Sequence, residues 1–522
     1  MAFEKNESLF PMFRDFIPEK FRFWIIVIFP FIFQMSNPIF MGLATQQAGD
    51  LSLLSEDIML CGYTCIIGIT CTFPIVFRLK FRFTTRQILL IVTASLILLN
   101  FIAAHCRFMP VLVVVSFLYG CFKLWGTFEC ASSCFQKLSP NFRLPPFLMV
   151  VFLAVFGGVE LSIISGTYIT YFYQWRYVSY FIMGTLLLVA LCAVTLMRDF
   201  RFKPPVPLLS VDWLGMLLWG ITLVSCSFVF IYGDCLDWFH SSYIVVAASI
   251  SLIAFGVNFG RMMHIRHPYV EPSAFRMPNL WPILVIFMIS GLLMSTQSVL
   301  EHIFTGSILH FGVIPLANLN WMTLLGVIVG AFFTRFVMMR LDWNARRVTF
   351  LSMLFTTMYV VMMFFLISPD TRLQQLYLPS FLCGLGHVTL FIALTTYMEE
   401  QTPPQFRYQI LMVLGFIRTG IASPIGGAMF GHLFKIQMKD NMAWMDSALS
   451  HISVNQLPRY AITDELVRQS MLVSVRNLFG IAIIMGLVTM ILILAFRFKN
   501  PKYRAIPTLH RMYKIAKASA AR

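Results

Sequence analysis

The sequence has 522 residues, of which 58% are hydrophobic and only 12% charged, and its mean hydropathy is +0.78. That balance excludes a set of soluble domains of this length. The formal net charge of +16 would suggest nucleic acid in a soluble protein, but here the bases fall where membrane topology requires them, so no nucleic-acid function is read from it.

The first apolar stretch follows Lys5, Arg14, Lys20 and Arg22 and runs from 23 to 45 with no small-residue cleavage site after it. It reads as a retained helix and not a signal peptide. Windows of about 20 apolar residues, enough to cross a bilayer, then recur at 57–77, 87–106, 110–135, 146–172, 177–197, 212–233 and 241–260. Six more lie at 281–305, 320–339, 347–367, 376–398, 408–434 and 477–497. The expectation is an all-α polytopic membrane protein of about fourteen transmembrane helices.

An even number of spans puts both termini on one side. Bases cluster in alternate connections: Arg78, Lys80, Arg82 and Arg86; Arg198, Arg201 and Lys203; Arg335, Arg340, Arg346 and Arg347. The last tail adds Arg497, Lys499, Lys502, Arg504, Arg511, Lys514, Lys517 and Arg522, whereas 46–56 carries Asp50 and Glu56 and no base. By the positive-inside rule both termini are expected in the cytoplasm. The stretch 435–474 is then the sizeable extracytoplasmic element. The eleven cysteines lie mostly in apolar runs and read as packing residues. His264 and His267 flank Arg266 in a connection, so no metal site is expected, and no cofactor either.

Several segments carry a family resemblance. QWRYVSYFIMG from Gln174, VDWLGMLLWG from Val211, YGDCLDWFHSSYI from Tyr232, RHPYVEPSAFRMPNL from Arg266 and RQSMLVSVRNLF from Arg468 stand in order along the chain. Together they resemble the fourteen-helix drug:proton antiporters of the major facilitator superfamily, the type of multidrug resistance protein B. The resemblance implies a major-facilitator fold divided as a six-helix bundle (1–204), two inserted helices with a linker (205–276), a second six-helix bundle (277–500) and a basic cytoplasmic tail (501–522).

It also implies proton-coupled export of small amphipathic or cationic compounds across a bacterial inner membrane. Protons, a small-molecule substrate and membrane lipid would be its partners, with a periplasmic adaptor and an outer-membrane channel as possible further ones. Three positions depart from the family pattern: span one offers Ser36 and Asn37 in place of an aspartate, Phe81 stands near the acid of the first basic loop, and the proline-glycine motif of span five keeps only Gly166. The chain has no P-loop GxxxxGK[ST], which leaves an ion gradient as the energy source. Import or lipid flipping is the rival within transport. A membrane-embedded enzyme or sensor is the rival from outside it, and no clustered acids, histidines or nucleophiles at one membrane face favour it.

An ionisable side chain costs about 2.5 to 3.5 kcal/mol at the centre of a spanning helix, so those that occur there carry information. Five do: Lys123, Glu129, Glu160, Glu301 and Arg418. Spans four and five are antiparallel about Asn141, so Lys123 and Glu160 match in depth and are expected to pair, either as a static contact or as a proton switch. Glu129 lies about 9 Å nearer the cytoplasm by helical rise and is a second proton-site candidate. Glu301 comes about one bilayer width after Trp281, and snorkelling to water at the outer mouth beside His302 is its expected state. Arg418 is central in span thirteen, where it would either meet a core acid or attract an anionic substrate. Around it Gly420, Pro424, Gly426, Gly427 and Gly431 allow either a hinge or close helix packing.

Overall fold

A computed structural model of the chain describes residues 10, 12–138, 144–200, 211–277, 279–403, 406–450, 459–496 and 498. Lys5, Asn141, Arg201, Lys203, Arg497, Lys499 and the tail 501–522 with its six bases therefore lie outside the described residues.

The chain folds into membrane-length helices that follow the apolar windows. The first eight are α1 (Glu19–Met35), α2 (Ser55–Arg82), α3 (Thr85–His105), α4 (Met109–Leu138), α5 (Leu144–Phe172), α6 (Arg176–Leu196), α7 (Trp213–Tyr232) and α8 (Ser242–His264). Six follow: α9 (Leu280–Ile308), α10 (Val313–Met339), α11 (Ala345–Leu366), α12 (Tyr377–Gln401), α13 (Arg407–Gly415, Phe416–Ala422 and Ser423–Ser450) and α14 (Arg459–Ala495).

Thirteen helices among the described residues are long and apolar enough to cross a membrane. α1, with 17 residues, stands at the lower limit of the roughly 17 to 25 that span one and completes the set. Its shortness has a local cause. Asn37 precedes Pro38, which disfavours the helical region at Asn37, and Ser36 is already extended (φ −73°, ψ 125°).

α4 packs on α1, α2 and α3, and α6 on α3, while α12 packs on α10 and α11 and α14 on α11 and α13. The resulting two six-helix bundles meet where α5 lies against α10 and α12, and where α2 lies against α13. The inserted pair α7 and α8 packs together, and α7 also touches both bundles, through α2 and α13.

Two helices of the second bundle leave α geometry in mid-course. α9 is π-helical over Thr296–Glu301 and Ile303–Ile308, and α13 over Phe416–Ala422. In α13 the cause is Pro424, which has no N–H to give to the carbonyl of Gly420 four residues back. The stretch 435–474 is not a loop set apart from the spans. Its two ends are continuations of α13 and α14, held side by side where Asn441 Nδ2 donates to Ser474 Oγ at 2.9 Å; only 451–458 between them lie outside the described residues.

Candidate functional site

The broken end of α1 explains Lys123. A helix leaves its last carbonyls without partners, and a cation is favoured beside them. The ammonium of Lys123 on α4 donates to the carbonyl oxygen of Gln34 at 3.0 Å and to Asn37 Oδ1 at 2.8 Å. Asn37 Nδ2 in turn donates to Ser162 Oγ on α5 at 3.2 Å, and Gln34 Nε2 to Thr127 Oγ1 at 2.9 Å. The expected Lys123–Glu160 pair does not form. Lys123 is turned toward α1, whose open end supplies the oxygens.

Glu129, expected to meet water, is 1% exposed. Its carboxylate accepts from Thr85 Oγ1 at 2.7 Å and lies 3.5 Å from Lys80 Nζ, so α2, α3 and α4 are joined at the end that carries the basic loops. At the same end Tyr408 of α13 stacks on Phe77 of α2, with centroids 5.4 Å apart, and meets Phe128 of α4 edge-on at 5.8 Å. Phe81, standing where the family pattern has an acid, extends this cluster through Phe77 at 4.6 Å. Closure between the bundles at this end is therefore partly aromatic.

Glu301 does not snorkel. It is 6% exposed and accepts from Tyr359 Oη of α11 at 2.8 Å and from Ser380 Oγ of α12 at 3.3 Å, while its neighbour His302 is exposed. α11 and α12 cover the carboxylate from the side.

Glu160, which lies within electrostatic range of Glu301, has no hydrogen-bond or ion-pair partner among the described residues. Arg418, on the π-helical turn of α13, has no carboxylate within 4.0 Å among them either. Its guanidinium carbon lies 3.7 Å from the ring centre of Phe391 on α12 and 4.9 Å from that of Phe156 on α5. Such stacking is worth about 2 kcal/mol or more when desolvated, which offsets part of the cost of the buried charge. His387 completes the cluster, its ring centre 4.7 Å from Phe156 and 5.1 Å from Phe391. Glu160, His387 and Arg418 each keep part of their surface accessible.

The glycines around Arg418 divide. A Cβ at Gly426 would lie 2.3 Å from Ser295 Oγ of α9, so this glycine permits close approach; one at Gly420 would lie 3.2 Å from Leu223 of α7. At Gly427 it would meet nothing within 4 Å, and at Gly166 it would lie 3.3 Å from Leu43. The carbonyl of Gly420, four residues before Pro424, accepts from Ser227 Oγ of α7 at 3.3 Å. Sequence reasoning missed His387, Phe156 and Phe391. A lone histidine in the apolar run GLGHVTLF was the one available signal.

The comparisons bear on fold and family. No curated protein matches the sequence. Among solved structures, the chain is similar to a bacterial homologue of the human drug peptide transporters PepT1 and PepT2, with TM-score 0.56, 14% identity, and 95% of this chain and 100% of that one covered. It is also similar to the human organic anion transporter MFSD10 (TETRAN), with TM-score 0.51, 11% identity and coverage of 91% and 100%. A third similar structure is an auto-inhibited POT family peptide transporter, with TM-score 0.50, 14% identity and coverage of 92% and 98%. These likenesses show the fold. The family model described as Major Facilitator Superfamily matches residues 146–427, more than half of the sequence, and the chain belongs to that superfamily of membrane transporters.

Proposed function

We propose that this chain is a proton-coupled secondary transporter that exports small amphipathic compounds by alternating access between the bundles 1–204 and 277–500, with 205–276 as an inserted pair. The observation that carries the reading is a pair of partly accessible ionisable groups where the bundles meet: Glu160 on α5, a carboxylate without a partner among the described residues, and Arg418 on α13, a guanidinium held by aromatic faces. A buried carboxyl gains or loses its proton as nearby charges and water change, which couples proton binding to rearrangement of the bundles. Glu301, covered by Tyr359 and Ser380, is the second carboxylate in this reading, and Gly420, Pro424 and the π-helical turn of α13 are the hinge.

The fourteen-helix drug antiporter type is supported by the five ordered motifs and by the helix count. The alternation of bases supports cytoplasmic termini, and the antiporter resemblance supports a bacterial inner membrane. The projecting ends of α13 and α14, with Trp444 69% exposed, are the surface proposed for a periplasmic adaptor.

Proteoliposomes test the function. An imposed pH gradient is expected to drive uptake or release of a fluorescent amphiphile, and collapsing the gradient to stop it. Flux that ignores the gradient would instead favour lipid flipping. A tag at Arg522 that is labelled from the periplasmic side of intact cells would refute the orientation.

A further inference from the structure

We infer that the ligand seated at Arg418 is an organic anion with a flat apolar body, its carboxylate on the guanidinium and its body against Phe156 and His387. The inference deepens the transport reading and rests on it.

Lys80 on α2 has Glu129, and Lys123 on α4 is satisfied by Gln34 and Asn37. Arg418 alone of the three has no hydrogen-bonding or ionic partner among the described residues, and its planar donors suit a carboxylate in two-point contact. Aromatic faces stabilise the guanidinium while leaving its N–H donors unused. Its N–H donors keep accessible surface and hydrogen-bond to nothing among the described residues, so the fork is open to a ligand.

The rings also specify the rest of the ligand. Phe152 and Phe287 extend the cluster, their ring centres 5.9 and 5.1 Å respectively from that of Phe391. Phe152 and Phe156 belong to α5 in the first bundle, and Phe287, His387 and Phe391 to the second. Separation of the bundles along α5 and α12 therefore uncovers the guanidinium and leaves aromatic walls on both sides for a flat body. Arg418 comes eleven residues after Arg407, the start of α13, about 16 Å along the helix. This depth is near the bilayer centre, out of reach of lipid headgroup phosphates. A cationic ligand would have to displace or oppose the arginine.

The test is binding to the purified full chain in nanodiscs, read by tryptophan fluorescence with three probes that share one ring system: naphthylacetate, naphthylacetamide and naphthylethylamine. Wild type is expected to bind the acid at least about tenfold more tightly than the amide, and the amine most weakly. Arg418→Gln is expected to bring the acid to parity with the amide while leaving amide binding within about twofold, and Arg418→Lys to retain part of the preference.

Preference for the amine, equal binding of acid and amide, or no binding of the acid at millimolar concentration in wild type overturns the inference, and needs no variant to fold. So does an acid preference that survives Arg418→Gln. Acid binding through Arg418 without flux of any probe in liposomes would sink the transport reading alone. Gradient-driven flux of the amine with the acid excluded would sink the anion site alone.

Discussion

Ser227 of the inserted helix α7 donates its hydroxyl, at 3.3 Å, to the carbonyl of Gly420, which cannot receive an N–H from Pro424 four residues on. The inserted pair is thereby bonded to the bend of α13 and not merely laid against it. Ser227→Ala is expected to cost about 1 kcal/mol by denaturant titration in micelles, because a buried acceptor loses its donor. In a Pro424→Ala background, where the backbone regains an N–H at that position, the same substitution is expected to cost close to nothing. Equal costs in the two backgrounds would show that the hydroxyl and the proline act independently.

Glu160→Gln is expected to abolish gradient-driven flux while leaving insertion and ligand binding nearly unchanged, since the amide keeps the volume but cannot carry a proton. Tyr359→Phe is expected to shift the pH dependence of flux without abolishing it, because it removes a donor from Glu301 and leaves the carboxyl in place. Proteoliposome flux at several external pH values separates the two. Normal proton-driven flux in Glu160→Gln would remove that residue from the mechanism.

Lys80 and Glu129 form a buried pair whose acid is fully enclosed, so removing one partner is worse than removing both. Lys80→Met is expected to destabilise by about 3 kcal/mol, and the double replacement Lys80→Met with Glu129→Leu by markedly less. Thermal unfolding of the single and double variants measures the difference. A double variant no more stable than the single one would contradict the argument.

At the opposite end, Asp234 in the connection between α7 and α8 accepts from His432 Nδ1 at 2.6 Å and lies 3.1 Å from Lys435 Nζ, both on α13. Partial burial works against its ionisation, but Lys435 and His432 outweigh burial and hold the carboxyl below its ordinary range. The folded value is depressed, so the contribution to stability is complete above the unfolded value of about 3.9 and is lost as pH falls through the folded value. Melting profiles from neutral to acid pH are expected to fall less steeply for Asp234→Asn than for wild type at the acid end. Parallel profiles would show that the contact adds nothing.

The apolar windows made the helices legible, because a spanning segment must be apolar along nearly its whole length. Direction around the helix axis was not. Lys123 meets Gln34 and Asn37 and not Glu160, and Glu301, far along α9, lies under Tyr359 and Ser380. The aromatic enclosure of Arg418 comes from two other helices in different bundles, and no spacing in one sequence reveals such a meeting. Pro424 was legible as a break, whereas its compensation by Ser227, nearly two hundred residues earlier, was not.

The cap on α1 has a consequence for how the protein is made. Gln34 and Lys123 are 89 residues apart in the sequence, and the lysine is synthesised later. At roughly 5 to 20 residues per second, on the order of ten seconds pass between them on the ribosome. During that interval the nascent first helix has an open end with no lysine to close it, and unpaired carbonyls are costly in lipid. The first helix therefore has to wait beside the insertion machinery, or in the wet interface, until the fourth arrives. Slowing translation between codons 38 and 122 should lengthen the time for which the nascent chain can be crosslinked to the translocon.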